Sequence, residues 1–178
     1  LFAVIRYARD FHHFERARRR GEWHYIHPRA LGKFRVGILG LGQLGGAAAK
    51  ALAGVGFDVR GWSRTPKSIP GVKCVAGLER LDAFLAETDI LAIMLPITPE
   101  TRGLLDARRL GLLLPDAKLI NVSRGAVVDE PALIEALQTG RPAYAGLDVF
   151  TVEPLPATSP LLQLENVVLT PHNAGGTP

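Results

Sequence analysis

One cysteine, Cys74, and one methionine, Met94, are all the sulfur in this chain of 178 residues. A lone thiol excludes an internal disulfide and fits a reducing compartment. A cytoplasmic location is therefore expected, with Cys74 read as a small buried hydrophobe. No apolar run approaches the roughly 18 to 20 residues a membrane span needs, and the arginine-rich start lacks the apolar stretch and cleavage site of a signal peptide. No membrane partner is expected. Nor does one sign of charge dominate: 21 Lys and Arg against 17 Asp and Glu leave a net charge of +4. Both signs are interspersed after the first third, which is no nucleic-acid footprint. The basic surplus lies between Arg6 and Arg35. The nearby His24 and His27 have no Cys or carboxylate at ligand spacing, so no metal site is expected. No internal repeat or low-complexity segment is visible.

Hydrophobic residues make up 47% of the chain, enough for one sizeable core and too little for two ordinary domains. Residues 1 to 20 place Leu1, Val4, Ile5, Ala8, Phe11 and Phe14 at helical spacing. Arg6, Arg9, Arg16, Arg18, Arg19 and Arg20 fall largely elsewhere. This pattern predicts one amphipathic helix with a packing stripe and a solvated basic face. Gly21, Pro28 and Gly32 then break it into a loop carrying Trp23, His24, Tyr25 and His27. The expected organisation is an arm over residues 1–32 followed by one domain over 33–178. Because position 1 is Leu and already reads as mid-helix, the chain is expected to be a piece of something longer.

From Phe34 onward, short apolar runs rich in β-branched residues alternate with helical patterns, the signature of βαβ units and a parallel sheet. Strands are predicted at 34–39, 57–62, 89–95, 117–122, 143–149 and 166–169. Helices are predicted near 43–54, 78–87, 106–112 and 130–139. Asp129, followed by Glu130 and Pro131, reads as a helix cap. The fold class is α/β, a doubly wound parallel sheet of the Rossmann dinucleotide-binding type with an N-terminal amphipathic helix.

The first strand runs straight into GLGQLG, so Gly40, Gly42 and Gly45 hold the G-x-G-x-x-G spacing at a strand-to-helix junction, with Gln43 and Leu44 completing the turn. Gly40 suits the tight turn, Gly42 lets backbone approach a pyrophosphate, and Gly45 lets the helix pack on the strand. The helix N-terminus attracts phosphate charge. In an NAD-preferring domain an acid at the end of the second strand receives the ribose hydroxyls. Here Asp58 sits at the wrong end of that strand, and Ser63, Arg64 and Lys67 occupy the right one. That exchange removes repulsion from a 2′-phosphate and supplies cations for it. A charge-assisted hydrogen bond contributes about 1.5 to 3 kcal/mol, roughly ten- to hundredfold in affinity before screening. NADP(H) is therefore expected over NAD(H), with NAD(H) still admissible.

Four further segments fall at the carboxyl ends of strands: LPITPETRGLL, NVSRGAVVDEPAL, GLDVFTVEPLP and TPHNAGG. In order and spacing they resemble the motifs of the D-isomer-specific 2-hydroxyacid dehydrogenases. The WSRTPKSIPG stretch is most similar to the glyoxylate/hydroxypyruvate reductase A branch. The resemblance implies that Arg124 binds substrate, that Glu153 is the acid paired to histidine, and that His172 is the proton donor. It also implies that Leu95, Pro96, Thr101, Val122 and Asp148 line the nicotinamide half of the cofactor, Asp148 through the carboxamide.

Chemistry supports the catalytic three. Reducing a 2-keto acid leaves negative charge on oxygen that a nearby acid must neutralise. Histidine can supply that proton near neutral pH. A carboxylate beside it orients the ring and favours the imidazolium. A guanidinium fork suits the substrate carboxylate and can polarise the carbonyl.

The resemblance further implies a substrate domain that this chain lacks and a homodimer to which the first helix and loop contribute. The partners expected are thus a small 2-keto or 2-hydroxy acid and a second copy. A dinucleotide-sensing regulatory domain without catalysis is the competing reading, but a sensor has no need of a proton donor. A methyltransferase would need an acid for its cofactor ribose, and a formate-type dehydrogenase fits the VEPLP glutamate less well.

Overall fold

The computed structural model describes residues 1–175 and contains seven strands and six helices in the order α1 (Phe2–Ala8), α2 (Phe11–Arg19), β1 (Arg35–Leu39), α3 (Gln43–Val55), β2 (Asp58–Ser63), β3 (Lys73–Ala76), α4 (Leu81–Ala86), β4 (Ile90–Ile93), α5 (Ala107–Leu110), β5 (Lys118–Asn121), α6 (Glu130–Gln138), β6 (Tyr144–Leu147) and β7 (Val167–Leu169). The expected domain runs to Pro178, and its last three residues lie outside those described.

The strands form one sheet in the order β3-β2-β1-β4-β5-β6-β7, with every pair parallel. Parallel strands covered on both faces read as unbroken apolar runs. Accordingly, β4 is buried at all four positions. Alternation then divides the core in two. Val36, Ile38, Ile90, Ala92 and Ile120 face α1 and α3, while Leu39, Leu91, Ile93 and Leu119 face α4, α5 and α6. Each of these side chains, fully buried, contributes about 1.5 to 3 kcal/mol.

The sheet's direction of winding reverses between β1 and β4, so the loops after those strands part and leave a crevice at the carboxyl edge. In open α/β sheets this is where ligands bind. Six of the seven strands and the cap of α6 follow the sequence expectation, Asp129 accepting a hydrogen bond from the Ala132 N–H at 3.1 Å.

The structure corrects the sequence expectations at several points. β3 was not predicted: four residues at the sheet edge, flanked by glycines, are too short to show a period. It carries Cys74, which is half-buried rather than buried. The N-terminal segment is two helices, not one. Asp10 adopts the left-handed conformation at φ 57°, which a short polar side chain tolerates better than most, and the chain turns there. The stripe splits in consequence. Val4 and Ala8 are buried together with Tyr7, whereas Leu1, Ile5, Phe11 and Phe14 are exposed. Arg6, expected on the solvated face, has a nearly buried side chain and pairs with Glu15.

One ion pair ties the sheet centre together at its amino edge. Asp89, just before β4, accepts the Arg35 N–H at 2.8 Å, its Nε at 2.9 Å and its Nη2 at 3.0 Å. Burial would push the Asp89 carboxyl up, but these bonds and the Arg35 charge outweigh it and hold it below the ordinary range. A depressed carboxyl stabilises the fold above its unfolded pKa and ceases to do so as pH falls through the folded value. Asp89→Asn should therefore lower the unfolding free energy by about 1.5 to 3 kcal/mol near neutral pH. In urea titrations the gap from the parent should close in acid. A gap that is pH-independent would remove the ion pair as its cause.

Candidate active site

The glycine turn stands at the carboxyl end of β1. Gly40 has φ +111°, and a Cβ there would meet the Met94 carbonyl oxygen at 2.8 Å. A Cβ on Gly45 would lie 1.8 Å from the Gly40 carbonyl oxygen. No side chain heavier than hydrogen fits, and that contact draws the first turn of α3 onto the strand. Gly42, by contrast, faces open space with nothing within 4 Å of its would-be Cβ. It is the N-cap of α3 and gives no side-chain cap, so the first N–H groups of the helix point into that space. Gln43 and Leu44 lie exposed in this first turn. A cradle of open N–H groups beside a bare Cα fits a pyrophosphate.

At the end of β2 the Ser63 side chain is buried and donates to the Thr65 carbonyl at 2.7 Å. Its proton is spent on shaping the turn. Arg64 and Lys67 are exposed, with Arg64 Nη1 4.0 Å from Glu100 in the loop after β4. Asp58, at the far end of β2, is paired with Lys73 at 2.8 Å and with Arg60 at 3.6 Å. Those contacts, Lys73 first, hold its carboxyl below the usual range. The cations expected at a 2′-phosphate thus stand at the functional edge, and Asp58 does not.

The loop after β4 carries Leu95, Pro96 and Thr101. Leu95 and Thr101 are buried, Pro96 exposed. The Thr101 hydroxyl donates to the Pro96 carbonyl at 2.7 Å and accepts the Thr98 N–H at 2.8 Å, folding the loop on itself. Val122, after β5, is half-buried. Asp148, after β6, is buried, and its carboxylate is largely engaged. Oδ1 accepts from the Thr170 hydroxyl at 2.5 Å and the Asn173 N–H at 3.0 Å, and Oδ2 accepts the Ala174 N–H at 2.9 Å. Burial raises this carboxyl's pKa, but the three donors and the His172 charge together bring it below the ordinary range. One acceptor position on Oδ2 remains for a further donor.

Arg124, Glu153 and His172 follow β5, β6 and β7, three adjacent strands, on the same edge as the glycine turn. His172 Nδ1 lies 2.7 Å from Glu153 Oε2. The other Glu153 oxygen, Oε1, accepts the Phe150 N–H at 2.9 Å. The His172 bond first, and the Phe150 bond second, hold the Glu153 carboxyl below its usual range. Among the described residues none bonds Nε2 of His172, whose side chain is 45% exposed at the rim of a groove of about 530 Å³ lined by Phe150, Leu155, Leu162 and Leu169. The residue itself has φ +52°, a conformation costly for a side-chain-bearing residue. It is held by the bonds of Asp148 to the two residues that follow.

Three positions that shape this edge lie within the NVSRGAVVDEPAL segment but were not singled out as site residues. Asn121 closes the turn bearing Arg124, its Oδ1 accepting from Ser123 N–H and hydroxyl and its Nδ2 donating to the Arg124 carbonyl at 3.0 Å. A Cβ on Gly125 would be 2.0 Å from the Phe150 carbonyl carbon, so only glycine lets the β5 and β6 loops touch. Glu130 accepts the Thr151 N–H at 2.9 Å. A polar Asn at the end of an apolar strand is the one clue that could have pointed here.

The strand order, the reversal between β1 and β4 and the open glycine turn define a dinucleotide-binding domain of the Rossmann type. Within that class, the chain belongs to the D-isomer specific 2-hydroxyacid dehydrogenase family, whose NAD binding domain matches residues 1–174. Glyoxylate/hydroxypyruvate reductase A of Serratia proteamaculans is 44% identical over 177 residues, which are 99% of this chain and 56% of that protein. The chain thus spans about half the length of the curated relatives it matches. A crystal structure of a D-isomer specific 2-hydroxyacid dehydrogenase from Xanthobacter autotrophicus Py2, in complex with NADPH and MES, is 61% identical with a TM-score of 0.95, covering 96% of this chain and 54% of that one. An NADPH-dependent glyoxylate/hydroxypyruvate reductase from Sinorhizobium meliloti, in complex with NADP and sulfate, is 36% identical with a TM-score of 0.91, covering 96% and 55%.

The glycines predict a contrast. Gly45→Ala forces backbone apart and should cost more than about 3 kcal/mol, beyond ordinary overpacking. Gly42→Ala meets nothing and should cost about 1 kcal/mol or less, the difference between a glycine and an alanine cap. Equal losses in paired denaturant titrations would refute this account of the turn.

Proposed function

We propose that the chain is the cofactor-binding part of an NADPH-dependent reductase acting on a small 2-keto acid, of the glyoxylate or hydroxypyruvate kind, to give the D-2-hydroxy acid. The single observation that carries this reading is the His172–Glu153 pair, 2.7 Å apart, on the sheet edge that also bears the glycine turn. The relatives named for glyoxylate and hydroxypyruvate, and the neighbours in complex with NADPH or NADP, support the substrate class and the cofactor.

A nicotinamide dinucleotide bound at this edge would supply the hydride. The α3 N-terminus and Gly42 would hold its pyrophosphate, with Gln43 and Leu44 flanking it. Arg64 and Lys67 would hold the 2′-phosphate, and the turn fastened by Ser63 would present them. Leu95, Pro96, Thr101, Val122 and Asp148 would border the nicotinamide end. From β1 to β7 is four strand steps of about 4.8 Å, roughly 19 Å along the edge, so phosphate-binding and proton-donating groups are spread along one cleft.

His172 is the proton donor in this reading. Glu153 binds Nδ1 and so fixes the ring with Nε2 outward, toward the oxygen that gains charge. Arg124 offers a planar fork to the substrate carboxylate. Asp148 anchors the turn that carries the imidazole. Two buried or committed carboxylates beside one histidine thus take different parts: one orients the ring, the other the backbone.

The reading extends to organisation. Residues 33–178 form the dinucleotide domain, and a substrate domain lies outside this chain, so the 178-residue piece should bind cofactor yet turn over slowly. Residues 1–32 form an arm whose exposed Leu1, Phe2, Phe11, Trp23 and Tyr25 suit a homodimer contact, and the protein works in the cytoplasm. Among the described residues no helix is long and apolar enough to cross a membrane.

Two measurements test the proposal. In the enzyme that contains this chain, His172→Ala should reduce kcat for glyoxylate or hydroxypyruvate by about 10² to 10⁴, with NADPH affinity within about twofold of the parent. Near-normal turnover would exclude His172 as the acid. By calorimetry, NADPH should bind about ten- to hundredfold more tightly than NADH, and Arg64→Ala should erase most of that ratio. Tighter binding of NADH would end the assignment of Arg64 and Lys67.

A further inference from the structure

In the sheet β2 and β4 are the two neighbours of β1, so the loops that follow them rise on either side of the glycine turn. Arg64 stands on the first of these loops and Glu100 on the second. Each loop is fastened next to its charged residue. The Ser63 hydroxyl donates to the Thr65 carbonyl at 2.7 Å. On the other side the Thr101 hydroxyl accepts the Thr98 N–H at 2.8 Å and donates to the Pro96 carbonyl at 2.7 Å, and the Thr101 N–H donates to the Thr98 carbonyl at 3.1 Å. With the backbone held at both places, the two side chains meet. Arg64 Nη1 lies 4.0 Å from Glu100 Oε2, with the side chains 65% and 63% exposed. The reductase reading assigns Arg64 to the cofactor and gives Glu100 nothing to do.

We propose that Glu100 is a specificity-determining residue that limits the preference for NADPH over NADH. Its carboxylate partners Arg64 in the free protein and repels the 2′-phosphate that takes Arg64 over. The inference rests on the assignment of Arg64 and Lys67 to that phosphate. To their attraction it adds a contribution of opposite sign, delivered from a different strand.

Magnitudes decide the order of events. Two exposed side chains at the limit of ion-pair contact hold each other weakly. A 2′-phosphate brings more than one negative charge and three acceptor oxygens to the same guanidinium, so it displaces the carboxylate. Displacement does not carry Glu100 away, because the turn bound through Thr98 and Thr101 fixes its backbone. The carboxylate also stays charged. Hydrogen bonds from the Thr98 side chain first and from its own N–H second, with the Arg64 charge behind them, hold it below the ordinary carboxylate range. A carboxylate and a phosphate that share one guanidinium stand a few ångströms apart, where like charges repel even through water. NADH has a neutral 2′-hydroxyl at this place, which can donate to a carboxylate rather than be repelled by it. Glu100 thus penalises one cofactor and spares the other. Asp58 cannot serve in this way, since it lies at the far end of β2 and is committed to Lys73 and Arg60.

Calorimetric titration of the full 178-residue chain with NADPH and with NADH tests this. Glu100→Gln keeps the length of the side chain and an acceptor for Thr98 but removes the charge. It should raise the affinity for NADPH by about three- to tenfold and leave that for NADH within about twofold. Because both partners are exposed, the gain should shrink as salt rises from about 0.1 to 1 M and the screening length falls from about 10 to 3 Å. A change in loop packing would not respond in that way. Arg64→Ala, measured alongside, separates the two claims. Should it leave the NADPH to NADH ratio untouched, the 2′-phosphate assignment fails and this inference with it. If Arg64→Ala erases the ratio while Glu100→Gln leaves NADPH affinity unchanged, lowers it, or raises both cofactors alike, Glu100 alone loses its role. A fall in NADPH affinity would make it a brace for Arg64 instead.

Discussion

Backbone pressed on backbone, with hydrogen where a side chain would be, is the constraint on which this molecule depends. At one end of the cleft Gly45 lets α3 settle onto the Gly40 carbonyl, where a Cβ would sit 1.8 Å away. At the other, Gly125 lets the β5 loop meet the Phe150 carbonyl, where a Cβ would sit 2.0 Å away. The first contact sets where the N–H groups of α3 open, and the second sets how near the Arg124 turn lies to the Glu153 turn. Neither could be replaced by better side-chain packing, because there is no room for side chains. The core beneath them, buried on both faces of β1, β4 and β5, supplies the rigidity that makes such contacts hold.

Charge is then arranged in layers over that frame. Asp148 is buried and saturated by donors from the 170–174 segment, so its energy goes into holding a left-handed residue at position 172. Glu153 is half open to solvent and binds the imidazole itself. Exchange of the two environments would fail physically: a buried Glu153 could not stay ionised without partners, and an exposed Asp148 could not anchor a strained turn. The same economy appears at Ser63, whose hydroxyl shapes the loop while Arg64 and Lys67 project from it.

How much of this was legible follows from what each pattern encodes. Central parallel strands bury both faces, so their apolar runs mark them within a residue or two, and G-x-G-x-x-G at the end of the first run marks the crevice. Arg124, Glu153 and His172 were singled out through linked motifs, and they lie after the carboxyl ends of β5, β6 and β7. β3 was invisible because four edge residues have no period to read. The break at Asp10 was missed because helical spacing of Val4, Ala8 and Phe11 continues through it, and nothing in a helical wheel registers a single residue at φ 57°. Gly125 and Glu130 act through contacts with Phe150 and Thr151, distant in sequence, which no local window contains, whereas Asn121 fastens its own turn through Ser123 and Arg124.

The N-terminal arm shows where such reading is weakest. A helical wheel treats every arginine as solvated, yet Arg6 ends in the interior because the turn at Asp10 brings Glu15 back to meet it. Tyr7, which the apolar stripe omitted, becomes the largest side chain that the N-terminal helices bury, its ring against the Gly146 backbone of β6. Burying a guanidinium, a phenol and an imidazole side by side is expensive unless each finds a partner, and an apolar set of the same size would have covered the sheet at lower cost.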